Sequence, residues 1–169
     1  MTTREDILGA LSSLLATDPF FPPADIDEAE PTHWVEVEAV TIDSIRLVHA
    51  CAVQDGPPPT QLGRARGAEG EALDELELEA AISYGVQAQV GAGVTIRDCQ
   101  KARRARRDVA VTRVAALIAA NRTLGLGPEV WAEVAPAQRD DGVTFANAAP
   151  TATAVVPVRV LYSATHAAD

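Results

Sequence analysis

A chain of 169 residues with 47% apolar side chains is long enough for one domain with a core and too apolar for wholesale disorder. Aromatic residues make up only 4%, so Ala, Val, Leu and Ile must fill that core. A net charge of −10 argues against a general nucleic-acid binder, and no apolar run approaches the ~20 residues of a membrane helix.

The charge is unevenly spread. Residues 1–96 hold 17 acids and 4 bases, whereas residues 97–169 hold 7 acids and 10 bases. Unlike surfaces attract, so head-to-tail self-association stands beside plain solvation as the reason. Cys51 and Cys99 are far apart without metal-ligand spacing and read as buried free thiols. The start, MTTREDILGAL, has acids where a signal peptide is basic, which reads as a cytosolic product.

Thr2 to Ala16 reads as a helix, with Thr2 and Glu5 as a capping box and Ile7, Leu8, Leu11, Leu14 and Leu15 on one stripe. Asp18-Pro19 ends it. Residues 17–32 are rich in proline and acids and read as a loop. Within it, Phe20 and Phe21 either pin the loop to its own core or anchor a partner. His33 to Ile42 and Ile45 to Val53 alternate as strands, joined by a tight hairpin at Asp43-Ser44. Ile45, Leu47, His49, Cys51 and Val53 share one face of the second. Residues 55–70 (DGPPPTQLGRARGAEG) read as a long flexible loop.

From Asp74 to Val90 every second residue is apolar: Leu76, Leu78, Ala80, Ile82, Tyr84, Val86, Ala88 and Val90. Period two specifies a strand, although the Glu, Leu and Ala residues before Ile82 favour helix locally. The strand is longer than usual, so it bends near Gly85 or reaches beyond its own domain. Ile96 to Ala120 is a second helix. Its first part, Lys101 to Arg107, packs five bases into seven residues; its second part carries an apolar stripe of Val111, Val114, Ala115 and Ile118. Asn121 or a following glycine should supply a left-handed cap. Glu129 to Ala135 is a strand with Trp131 on one face and Val130, Ala132 and Val134 on the other. Asp140-Asp141-Gly142 signals a turn. Thr151 to Ser163 is a last strand, which Pro157 assigns to an edge or a bulge, and the tail 164–169 is loose. The sum is α+β in a single domain spanning the chain: an antiparallel-rich mixed sheet with two helices packed on it.

No catalytic, cofactor-binding or metal site emerges. His33, His49 and His166 lack a second ligand at helical or strand spacing. No serine sits in a nucleophile elbow, and the Gly91 and Gly125 stretches lack the context of a phosphate cradle. Glu75, Glu77 and Glu79 line one strand face, where they share a divalent cation or, more simply, face solvent or a basic neighbour. The basic run at 101–107 is open to three readings: a solvated helix face, a contact with an acidic partner or sister subunit, and phosphate binding. It has no interleaved aromatics for base stacking.

Together, the Leu-rich first helix (REDILGALSSLLA), the long strand LELEAAISYGVQAQV, the helix ending ALIAANRTLGLG, the strand with Trp131 and the final VVPVRVLYSAT resemble the tail terminator proteins of long-tailed phages and phage-derived particles. In that family the second helix commonly ends in Arg-Thr-Leu-Gly-Gly; here Arg122-Thr123-Leu124-Gly125 is followed by Leu126. The 33–53 hairpin and the 55–70 loop depart from the compact pattern. The resemblance implies assembly work without catalysis. A ring, usually of six subunits, caps the tail tube in the virion, stops its growth and docks the neck or stopper protein of the head, and DNA passes through the lumen without sequence-specific binding. It also implies assembly in the host cytoplasm, no cofactor and no membrane. The ring reading makes Arg103, Arg104, Arg106 and Arg107 contacts to acidic residues of a neighbouring subunit, with Glu75, Glu77, Glu79, Phe20 and Phe21 as further interface candidates. Two alternatives are another head–tail connector component and a small ligand-binding α+β domain.

Overall fold

The computed structural model describes residues 2–26, 31–37, 45–89, 93–144 and 150–165. The expected hairpin turn at Asp43-Ser44 and the last four residues of the chain lie outside them; of the tail expected to be loose over 164–169, Ala164 and Thr165 instead belong to the last strand, opposite Asp74 and Leu73.

The first helix, α1 (Arg4–Ala16), buries Ile7, Leu8, Leu11 and Leu15. Its cap is Thr3 rather than Thr2. The Thr3 side chain accepts the Asp6 N–H, and the Asp6 carboxylate accepts the Thr3 N–H at 2.8 Å. Both Thr2/Glu5 and Thr3/Asp6 fit the box pattern. Thr2 is instead turned inward, only 6% exposed, with its hydroxyl toward Glu129.

The sheet follows as β1 (Ala24–Ile26), β2 (Val35–Glu36), β3 (Arg46–Asp55), β4 (Thr60–Arg66) and β5 (Ala72–Gln89). After α2 (Ile96–Ala120) come β6 (Trp131–Val134), β7 (Gln138–Thr144) and β8 (Pro150–Thr165). The eight strands form one mixed sheet. Its plan is two long antiparallel ribbons. In the first, β3 and β4 run one after the other along the same edge of β5: Asp55 pairs with Ala80, and Thr60 with Glu77. In the second, β6 and β7 do the same along β8, Val134 pairing with Val158 and Gln138 with Val155. β5 and β8 then pair with each other from Leu73↔Thr165 to Gln87↔Thr151.

Each ribbon has a broken first strand and an unbroken second one, and proline explains the breaks. Pro57, Pro58 and Pro59 separate β3 from β4, because three residues without an N–H cannot continue a ladder. Pro136 separates β6 from β7. Opposite that gap lies Pro157, whose carbonyl accepts the Ala135 N–H at 2.9 Å. A residue's N–H and C=O point to the same side of a strand, so the missing N–H of Pro157 faces the gap. Proline therefore sits in the interior strand β8 without costing a ladder bond, and the expected edge position is corrected.

The expected loop at 55–70 is corrected as well: β4 occupies Thr60–Arg66, with a bulge between Gln61 and Gly63. Alternation is weak in TQLGRAR because no face of it is buried. Gly56 makes the crossing possible, since a Cβ there would overlap the Glu79 carbonyl oxygen. In the loop expected at 17–32, β1 pairs parallel with β3, Ala24 opposite Cys51. Of the strand expected over 33–42, Val35–Glu36 pairs antiparallel with β3, and residues 38–42 lie outside the described residues. Asp140–Gly142 is not a turn but a bulged part of β7, with Gly142 at φ 85°.

Both helices lie on one face of the sheet. That face carries Leu78, Ile82, Tyr84 and Val86 of β5 beside Val160, Val156, Ala154 and Ala152 of β8, all buried in the core, as are Ile7, Leu11, Val114 and Ile118. Each fully buried Leu, Ile or Val contributes about 1.5–3 kcal/mol relative to exposure. The opposite face is small and polar at its centre. There Gly85 lets the Trp34 ring lie close: a Cβ at 85 would stand 2.9 Å from Cη2 of Trp34.

Candidate functional site

The basic run begins where the buried side of α2 continues past its apolar stripe. That side consists of Cys99, Arg103, Arg107, Ala110, Val114 and Ile118, spaced by three or four residues. Two arginines therefore point into the fold: Arg103 is 4% exposed and Arg107 9%. A buried guanidinium must be paired. Asp141 of β7 accepts from Arg103 Nε and from Arg104 Nε, each at 2.6 Å. Burial pushes the Asp141 carboxyl up, but the hydrogen bonds and charges of the two arginines outweigh it and hold it below the ordinary value. Arg107 donates to the Asp140 carbonyl at 2.9 Å and to Asp108 at 3.0 Å, and Asp108 also meets Arg139 at 3.3 Å. The carboxylate of Asp141 and the backbone carbonyl of Asp140 are thus the partners of the helix.

Arg106 leaves the same helix toward the first loop. Its guanidinium lies 3.7 Å from the Phe20 ring centroid, and Nη2 donates to the Phe20 carbonyl at 3.1 Å. Arg113 approaches the same ring at 4.9 Å and forms an ion pair with Asp18 at 2.8 Å. Under these cations Phe20 and Phe21 meet edge to face at 5.1 Å, and both contact Tyr84, each at 6.0 Å. Phe21 is 7% exposed. The two phenylalanines pin the loop to its own core.

Beneath them sits a buried polar group. The Tyr84 hydroxyl is 2.9 Å from His49 Nδ1 and accepts from Arg106 Nε at 3.3 Å. Burial, with Arg106 nearby, lowers the His49 pKa to about 4, so its imidazole is neutral at neutral pH. Burial also raises the Tyr84 hydroxyl, despite Arg106, and pushes the Cys51 thiol up to about 12. A neutral histidine, a protonated tyrosine and an un-ionised thiol, all buried, supply no nucleophile to a surface substrate. They fix the loop, α2 and the sheet to one another.

This placement corrects the arginine assignment made from sequence. Arg103 and Arg107 are buried on partners in their own chain, so the run is not a plain solvated face, and their part in a subunit contact is withdrawn; Arg104 and Arg106 also bond within the chain, but the Arg104 side chain stays 53% exposed. The signal was present in the spacing of Cys99, Arg103, Arg107 and Ala110, which extends the apolar stripe. Of the three glutamates, Glu77 forms an ion pair with Arg159, which also approaches Glu133 at 3.6 Å. Glu75 and Glu79 are exposed. Among the described residues no cluster of three or more His, Cys, Asp or Glu side chains could hold a metal ion.

The Arg122–Gly125 turn joins α2 to β6. The Arg122 carbonyl accepts the Ala132 N–H at 2.7 Å, and its guanidinium lies 5.0 Å from the Trp131 ring. The left-handed residues here are Leu124 (φ 53°) and Gly125 (φ 73°), not Asn121, whose φ is −133°. Asn121 caps instead through its side chain, donating to the Leu117 carbonyl at 2.9 Å. Leu124 is 8% exposed, and its burial offsets the backbone strain. No protein-family model matches the chain, and no curated protein matches it.

Proposed function

We propose that the chain is a structural assembly protein of the tail-terminator kind. It forms a ring, with six subunits as the working number, that caps a phage-type tail tube, ends its elongation and joins it to the neck or stopper protein of the head. DNA passes through the lumen, and the protein performs no catalysis. The observation that carries this reading is the order of elements: a Leu-rich helix, a long alternating strand, a helix running into Arg122–Gly125, a strand with Trp131 and a 16-residue last strand. It is the order on which the resemblance rests.

The surfaces are compatible with this role. No helix among the described residues is long and apolar enough to cross a membrane. The acid excess of the first 96 residues repels phosphate, as a conduit for DNA should. With Arg103 and Arg107 buried inside the protomer, subunit contacts fall to what stays exposed, including Glu75, Glu79 and Arg104. Negative-stain electron microscopy of the purified protein, alone and with tail tubes of the same particle, tests the reading. Rings with a central hole, or density capping tube ends, are expected. A monomer that leaves tube ends bare overturns it. Binding to the head connector instead moves the chain to another joint of the same assembly.

A further inference from the structure

Most sheet edges in this fold are closed by particular contacts. β3 is covered by β1 and β2 from Leu47 to Val53. The main chain of β6 is held at Ala132, which donates to the Arg122 carbonyl. That of β7 is held by Arg107 at the Asp140 carbonyl. Among the described residues β1 and β2 are three and two residues long, too short to template a further strand.

β4 is the exception. Its seven residues, Thr60–Arg66, bond to β5 on one side, and among the described residues nothing covers the other. No proline interrupts it. It offers an edge about 23 Å long at about 3.3 Å per residue. Leu62 stands 54% exposed on this edge. Arg64 pairs across the ribbon with Asp74, and Arg66 with Ala72, so the two arginines share one side of the strand. Arg64 reaches Asp74 only at 3.8 Å, while Gln61 donates to the same carboxylate at 2.7 Å. Arg66 is exposed, with no carboxylate partner among the described residues.

We propose that the free edge of β4 docks an extended acidic segment of a partner protein, which joins the sheet as an added strand. Main-chain hydrogen bonds supply the attachment, and acids at alternate positions of the incoming strand meet Arg64 and Arg66. Pairing of β4 with β4 of a second copy is disfavoured, because it gathers four arginines on one narrow ribbon. The edge is independent of the ring proposed above, since strand addition needs neither closure nor a lumen.

Two seven-residue peptides test the edge on the full chain: Thr-Glu-Val-Glu-Val-Glu-Thr and the same sequence with Lys for Glu. Amide chemical shifts and hydrogen exchange are read by NMR. The acidic peptide should shift and protect amides within residues 60–66, and the Lys peptide should not. The exposed double variant Arg64→Glu/Arg66→Glu should bind the acidic peptide about tenfold more weakly or worse, with spectra otherwise unchanged. The proposal is overturned if the acidic peptide leaves β4 unprotected at millimolar concentration, or if both peptides bind alike. Protection that rises with protein concentration alone also overturns it and assigns the edge to a second copy. Rings that form while peptide binding fails refute this proposal and spare the ring; peptide binding by a monomer that leaves tube ends bare does the opposite.

Discussion

Removing the Asp141 carboxylate should be among the most damaging single changes in the fold. Asp141→Ala strands two guanidinium groups in unequal places. The Arg103 side chain is 5% exposed, so it is left charged and unpaired in the interior; that of Arg104 is 53% exposed and passes to water. Breaking a buried pair from one side costs about 3–5 kcal/mol, whereas the exposed partner is worth about 0.2–1 kcal/mol. For a domain of this size each kcal/mol moves the melting point by about 2–4 °C, so the expected fall is about 6–20 °C. Arg104→Ala should cost no more than about 1 kcal/mol. The double variant Arg103→Met/Asp141→Leu, which removes both charges and keeps the volume, should recover most of the loss. Urea unfolding followed by circular dichroism reads all three. An Asp141→Ala loss below about 1 kcal/mol, or one equal to that of Arg104→Ala, would refute the claim that the interior of the basic run is paired rather than solvated. The carboxyl also carries a pH signature. Its folded pKa lies below the ordinary 3.8, so its stabilisation is present above that value and fades as pH falls through the lower folded value. Asp141→Asn should remove that part of the acid sensitivity.

His49 has a folded pKa near 4 against an ordinary 6.5, so protonation favours the unfolded chain, and stability should decline as pH falls from about 6.5 toward about 4; His49→Gln should flatten that stretch of a pH-melt series. Tyr84→Phe removes the hydroxyl beside His49 and Arg106 and should cost about 1–3 kcal/mol by chemical unfolding. Ser83 Oγ is buried without a hydrogen-bond partner among the described residues, so Ser83→Ala should hold or raise the unfolding midpoint, and a clear fall would show an acceptor there. Gly85→Ala pushes a methyl against Trp34 and should cost about 1–3 kcal/mol, with a change in the Trp fluorescence spectrum.

Periodicity made the frame readable. β5 alternates so cleanly that its inner face could be written down residue by residue, and α2 begins at Ile96 and ends at Ala120 as its pattern requires. β4 was hidden because a strand with no buried face has no hydrophobic alternation to show; only its pairing with β5 defines it. β1 was hidden for a related reason, since three residues between acids and prolines carry too little pattern. The arginines of α2 stayed open to three readings because charge alone does not say which of them turn inward. Their burial depends on Asp141 and the Asp140 carbonyl, more than thirty residues away, which local sequence cannot bring near. Phe20 and Phe21 were ambiguous until Tyr84 and Arg106 stood beside them.

The two broken ribbons also set the order in which the chain can become itself. Each is local: β4 returns to β5 through a turn closed by the Gly67 N–H and the Glu71 carbonyl, so the first ribbon can zip from that end soon after collapse. The ladder between β5 and β8 is not local. Its nearest rung, Gln87 to Thr151, joins residues 64 apart, with all of α2 between them. Closing such a loop precedes any reward from the contacts it brings, so this rung governs the folding time, and the slow step is the meeting of two finished halves. Until they meet, the unpaired flanks of β5 and β8 are the longest sticky edges the nascent chain exposes.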